Sequence, residues 1–272
     1  MKIPIFILIV GVLSITAAEP GKPEVIRLGK ISAYSKPLEV KLRFSAAENP
    51  GAFDLRKEKY TLLVPRGIGP KTKCGLFIWI NAGDTPRIPK DWEPVLARRK
   101  LIFIGAHNSG NRRSIFDRFR LAIEASVQMR QRFNVDPKCV YISGFSGGGR
   151  VASCLGVAYA DIFSGAMPFM GVNFYRDVPA PGGKKFRLNY LPHKDLLAIA
   201  KKSGRFVLVT GSDDFNRAGT KSVFENGFKQ EKFAHASYLE VPGLAHHLPG
   251  PVWFEKGLKL LEANHAVTPP RR

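Results

Sequence analysis

The sequence predicts an α/β fold: a mostly parallel central sheet with antiparallel N-terminal strands and helices on both faces. Three observations carry this reading. From residue 74 onward, short apolar runs alternate with helix-length segments, the rhythm of strand–helix–strand units joined by right-handed crossovers. Several of these runs, CGLFIWI among them, are apolar at successive positions, as strands covered on both faces are. Residues 22 to 65 differ. There VIRL, LEVKLRF and KYTLLVP are short runs separated by Pro- and Gly-containing turns, which reads as antiparallel pairing.

The elements follow in order. CGLFIWI begins at Cys74, and RKLIFIGA repeats its pattern at 99–106. A long helix is predicted from Ser114 to Phe133, with Ile115, Phe119, Ala122, Ile123 and Val127 marking its turns and Asn134 and Asp136-Pro137 ending it. KCVYIS is the next strand, followed by a Gly-rich turn and the small-residue helix GRVASCLGVAYA. IFSGAMPFM and RFVLVTG are further buried strands, with a helix from about Lys194 to Lys202 between them. ASYLEVPG supplies the last strand and VWFEKGLKLLEA the closing helix. The Pro- and Gly-rich segment from Gly171 to Pro192 falls above the strand ends, where a substrate-facing loop belongs.

At 272 residues, 44% hydrophobic and 24% charged, the chain suits one large α/β domain and needs no staples for its core. The first segment stands apart. Lys2 precedes the apolar run IPIFILIVGVLSI, and Thr16-Ala17-Ala18 offers small residues before a cut after Ala18. Residues 1–18 therefore read as a signal peptide and 19–272 as a single domain that is secreted or periplasmic. An uncleaved anchor is the alternative; no second apolar stretch approaches transmembrane length, and no stable membrane anchor is expected after cleavage.

The formal net charge is +20, dispersed along the chain rather than gathered in an aromatic-studded basic helix, so no nucleic-acid partner is expected. Two basic groups leave strand ends on one edge: Arg112-Arg113, and Arg176 with Lys184, Lys185 and Arg187. Either they border a cleft there and draw anionic substrates, or they point into solvent. Cys74, Cys139 and Cys154 are too few and too far apart for a metal site or a disulfide scaffold. An oxidising compartment would permit one bridge; Cys74 and Cys139 each open a predicted strand and could meet, but three pairings are possible and buried thiols are equally compatible.

The strongest local signal is Gly144-Phe145-Ser146-Gly147-Gly148, a G-x-S-x-G pattern lying directly between a buried strand and a helix. Such a turn is sharp and strained, small neighbours relieve it, and the serine hydroxyl projects above the sheet. The Gly147 amide, at the helix start, then faces a developing oxyanion. A helix-capping serine in a Gly-rich turn is the plainer alternative. A serine hydroxyl needs a base. Of His107, His193, His235, His246, His247 and His265, only the His246-His247 pair lies in the loop between the last strand and the last helix, at the serine's edge of the sheet. An acid to orient the imidazole is available in Asp213-Asp214, at the carboxyl end of FVLVT. Three loops thus converge on one edge.

The pattern resembles the α/β-hydrolase superfamily over residues 56 to 262, in the secreted esterase branch that includes poly(3-hydroxybutyrate) depolymerases and feruloyl or acetyl-xylan esterases. Beyond the elbow, Val135 to Ser143 resembles the stretch leading into the nucleophile, and Tyr159 to Ala166 the segment after its helix. The chain order serine, acid, histidine is also that of these enzymes. The resemblance implies Ser146 as nucleophile, Asp214 as acid and His246 as base, with Asp213 and His247 the alternates. It departs at Trp79-Ile80-Asn81-Ala82-Gly83, where the branch usually carries His-Gly; the amides of Ala82 or Gly83 remain candidate oxyanion donors, and Asn81 could add a side-chain donor. No metal or organic cofactor is implied.

Three functions fit: hydrolysis of a carboxylic ester, anionic and polymeric ones among the candidates, peptide hydrolysis on the same fold, and a catalytically silent relative that binds polysaccharide or envelope. The last predicts an eroded triad, whereas all three members are present. Peptidases of this kind generally add a large gating domain.

Overall fold

The computed structural model describes residues 20–69, 71–187 and 190–263; the leader with its cut site, and His265, lie outside the described residues. Eight strands form one sheet: β1 Glu24–Ile26, β2 Tyr60–Leu63, β3 Cys74–Ile80, β4 Leu101–Ala106, β5 Val135–Phe145, β6 Gly165–Phe169, β9 Arg205–Gly211 and β10 His235–Val241. Their order is β1-β2-β4-β3-β5-β6-β9-β10. β1 and β2 are antiparallel, as is β2 on β4, and every pairing from β4 to β10 is parallel. The intervening β7 (Val178–Pro179) and β8 (Lys185–Phe186) make a separate two-stranded ribbon within the 171–192 loop.

Burial explains the near-continuous apolar strands: every residue of β3, β4, β6 and β9 is buried. One face is covered by α1 (Pro37–Phe44), α3 (Ile115–Arg132), α4 (Gly147–Ala158) and α5 (Lys194–Ser203). The other face carries α2 (Glu93–Arg98) and α7 (Pro251–Glu262), around Trp79, Trp92 and Phe254. Trp92 stacks on Phe254 with ring centroids 3.8 Å apart.

Two expectations need correction. LEVKLRF alternates like a strand but forms α1. Pro37 occupies its first turn, where a fixed φ and a missing N–H cost nothing. Val40, Arg43 and Phe44 then share the buried helical face, while Leu38 and Leu42 stay exposed. Arg43 is the deciding side chain. It grips Asp161 with both terminal nitrogens (2.6 and 2.9 Å) and takes Glu39 one turn back, the contact that helical spacing brings within reach. Second, Cys139 does not open a strand beside Cys74, and none of Cys74, Cys139 and Cys154 forms a disulfide. Cys139 lies inside β5, not at its start, and burial pushes the Cys74 thiol up to about 11 and the Cys154 thiol to about 12.

α2 and a second helical segment were not expected. The latter comprises α6 (Arg217–Ser222) and a π-helical continuation, Val223–Lys229, whose Val223 and Phe228 enter the core.

Candidate active site

The parallel ladder brings strand ends into line: Ile80 of β3 sits beside Gly144, Phe145 beside Phe169, and Gly211 beside Val241. The loops that follow share one edge, and each candidate side chain enters from one of them. Ser146 lies between β5 and α4 with φ 54° and ψ −114°, a conformation that side-chain-bearing residues seldom adopt. Its amide is held by Phe169 O at 2.8 Å. Small neighbours are obligatory, since a Cβ at Gly148 would overlap Ile80 O.

Asp214 follows β9 and is buried. Its Oδ2 accepts from Thr210 Oγ1 (2.9 Å), and Oδ1 accepts from the Asn216 amide (3.1 Å) and from His246 Nδ1 (2.7 Å). A carboxylate can only accept here, so Nδ1 carries a proton, which in the neutral ring leaves the lone pair on Nε2. The imidazole is flanked by the Phe145 ring, with centroids 4.9 Å apart, and by the Phe215 ring at 4.0 Å. Phe145 directly precedes Ser146, which places the imidazole at the elbow. Among the described residues Ser146 Oγ makes no hydrogen bond; nucleophile–base contacts often tighten only once substrate is bound. The neighbours are arranged differently. Asp213 accepts from Ser212 Oγ (2.9 Å), and exposed His247 contacts Leu248 O (3.3 Å).

Comparison with solved structures gives the same architecture. The thermophilic esterase Est2 of the planctomycete Thermogutta terrifontis superposes with TM-score 0.55 and 18% identity, over 78% of this chain and 88% of that one. Est1E from Butyrivibrio proteoclasticus gives 0.52 and 18%, over 78% and 95%. A putative dipeptidyl aminopeptidase IV from Bacteroides ovatus gives 0.56 and 15%, over 89% of this chain but 36% of that one. No protein-family model and no curated protein matches the sequence. The fold is that of the α/β-hydrolases.

An α/β-hydrolase elbow presents one oxyanion donor after the nucleophile and another after the third strand of this sheet. Gly147 occupies the first position. At the second, the residues proposed from sequence are not equivalent. The Ala82 amide already donates to Asn81 Oδ1 (2.9 Å), and Asn81 Nδ2 donates to Thr85 O (2.7 Å). Asn81 therefore folds its side chain back on its own loop and engages the Ala82 amide, which weakens both as donors. The exposed Gly83 amide has no acceptor among the described residues.

Two residues not singled out from sequence lie against these loops. Asn111 lies against the elbow so closely that a Cβ on Gly147 would overlap its Oδ1, while its own amide is fixed to Ala82 O (2.9 Å). Arg118, buried on α3, donates to Ser109 O (2.8 Å) and Asn81 O (3.1 Å), tying together the loops after β3 and β4. Burial lowers its pKa to about 10. Spacing could have suggested Asn111, which sits in the loop leaving β4; nothing local marks Arg118, because its partners are carbonyls remote in sequence.

The basic loops divide. Arg113 turns away to Glu58 (2.6 Å) and Asp117, and Arg112 is 96% exposed. Lys184 and Lys185 are exposed as well. Arg176 and Arg187 line a cavity beside the site.

Proposed function

We propose that this protein is a secreted serine hydrolase that cleaves carboxylic esters through an acyl-enzyme on Ser146. The observation that carries the reading is the buried Asp214–His246 hydrogen bond, set at the same sheet edge as the strained Ser146 turn. In the mechanism, His246 Nε2 takes the Ser146 proton as Oγ attacks the carbonyl carbon. Asp214 holds the imidazole in that tautomer and balances the imidazolium charge. The Gly147 amide, with the Gly83 amide or Asn111 Nδ2, receives the oxyanion. His246 then delivers its proton to the departing alcohol, and water activated by the same ring releases the acid. Similarity to two esterases over most of their own lengths favours an ester over a peptide. A polysaccharide-linked, hydroxyalkanoate or small acyl ester is the proposed substrate class.

Ser146→Ala tests this directly. We expect hydrolysis of 4-nitrophenyl acetate to fall by more than about a thousandfold with unchanged circular dichroism. An organophosphonate should add one covalent mass to wild type and none to the variant. Labelling that persists in the variant would move the nucleophile elsewhere. Absence of labelling and turnover in wild type would favour a silent binding relative. Secretion belongs to the same proposal, and sequencing of exported protein should then begin at Glu19.

A further inference from the structure

A cavity of about 270 Å³ adjoins the site, and its walls include Arg150, Arg176, Arg187, Asn216, Gly171 and Thr220. Arg150 lies one helical turn after Ser146, its amide bonded to Ser146 O at 3.1 Å, so the two backbones stand roughly 6 Å apart along α4. Its guanidinium donates to Asn216 Oδ1 (3.3 Å). Asn216 in turn donates its backbone amide to Asp214 Oδ1 (3.1 Å) and its Nδ2 to Met170 O (2.8 Å). Gly171 packs so tightly on Ser146 that a Cβ would overlap Ser146 O. The cavity therefore shares two of its walls with the nucleophile and its acid.

Its lining is basic: among the described residues no Asp or Glu lines it. Arg176 pairs with Glu231, which also receives Lys201 Nζ (2.6 Å) and Tyr175 OH (2.9 Å), and Arg187 pairs with Asp177 (3.1 Å). Arg150 has no carboxylate partner among the described residues. A planar guanidinium fork with spare donors and no ion-pair partner among the described residues is the chemistry that receives a carboxylate.

Resting on the ester-hydrolase reading of Ser146, we propose that this cavity is an anion subsite that binds a carboxylate carried by the ester substrate. Arg150 is its principal ligand, and Arg176 and Arg187, each already paired with an acid, supply supporting charge. The subsite selects acidic esters over neutral ones of equal size and positions them for attack.

Two matched pairs test this. On the acyl side, 4-nitrophenyl valerate is compared with 4-nitrophenyl hemiglutarate; on the alcohol side, phenyl acetate with 4-acetoxybenzoate. In at least one pair the anionic ester should show a kcat/KM at least about tenfold higher. Arg150→Gln should lower kcat/KM for the anionic ester at least about fivefold more than for its neutral partner, erasing that preference, and Arg187→Gln should reduce it. Arg112→Gln, which removes a solvated charge outside the cavity, should leave it intact. Absence of preference in both pairs, a preference unchanged in Arg150→Gln, or equal losses in Arg150→Gln and Arg112→Gln would each overturn the subsite. These failures differ from failure of the ester reading itself, in which wild type hydrolyses none of the four esters or Ser146→Ala keeps hydrolysing them.

Discussion

Asp213 and Asp214 are adjacent and chemically identical, yet one is exposed against Ser212 and the other buried with three hydrogen-bond donors. Environment, not residue type, separates their roles, and the same holds for His246 and His247. Asp214→Asn should lower kcat on a small activated ester on the order of a thousandfold or more, because an amide at that position favours the wrong imidazole tautomer. Asp213→Asn should stay within a few fold. His246→Ala should match the Asp214 variant, and His247→Ala should keep much of its rate. A sensitive Asp213 or His247 in steady-state kinetics would shift the assignment by one residue. Asn111 carries a separate prediction. With the Ala82 amide engaged by Asn81, Asn111→Ala should lower kcat roughly tenfold or more if its Nδ2 serves the oxyanion, and change little if the Gly83 amide serves alone. The members of each pair could be ordered in the sequence only through family spacing. Phe215 is not legible as a site residue, because it reaches the His246 ring through loop geometry that no local pattern encodes.

Elements owe their legibility to how strongly one physical demand dominates. The parallel strands are buried on both faces, so their apolar runs left little choice. LEVKLRF alternates like a strand yet folds as a helix: Leu38 and Leu42 stay exposed, and the pairing of Arg43 with Asp161 is invisible from one end of the chain. α2 is short, and its contribution is tertiary: Trp92, which opens it, stacks on Phe254 and donates to Pro249 O (2.9 Å), bracing the loop that carries His246. α3 does similar work through Arg118, the one buried arginine described here whose side-chain bonds go only to carbonyls on the two site loops. Arg118→Leu removes both bonds but also removes a dehydrated charge, so the two effects partly offset. Leaving two carbonyls unpaired should prevail, with a net loss of about 2 kcal/mol and a Tm lower by about 4–8 °C. Since the clamp joins the loops around the oxyanion position, kcat should fall more than KM rises. A variant with wild-type kcat and only a lower Tm would make Arg118 a purely structural brace.

For the molecule as a whole, the balance of charge is the dominant unspent energy. With 42 lysines and arginines against 22 acids, long-range repulsion among like charges opposes compaction. Against it stand short pairs, several of them partly buried, such as Arg113–Glu58 and Arg43–Asp161. Salt acts unequally on the two: repulsion spread over many ångströms is screened at a Debye length of about 10 Å in 0.1 M salt, whereas contact pairs away from water are screened less. Raising NaCl from about 10 to 300 mM at pH 7 should therefore raise Tm. Acid acts in the opposite sense. Hydrogen bonds from Arg217, Arg98 and Arg56 hold the carboxyls of Glu240, Glu255 and Asp54 below the ordinary carboxylate range. Their folded pKa values are depressed, so the stability they lend is present above the unfolded value and is lost as pH falls through the folded one. Glu262, raised by burial, works against that trend. Protonation also enlarges the positive excess, so Tm should drop as pH falls below about 4, and salt should recover part of the loss. Thermal melts across pH and NaCl concentration measure both effects. A Tm that falls with added salt at pH 7 would mean that the ion pairs outweigh the net repulsion, and that the basic surface is a smaller burden on this fold than its charge implies.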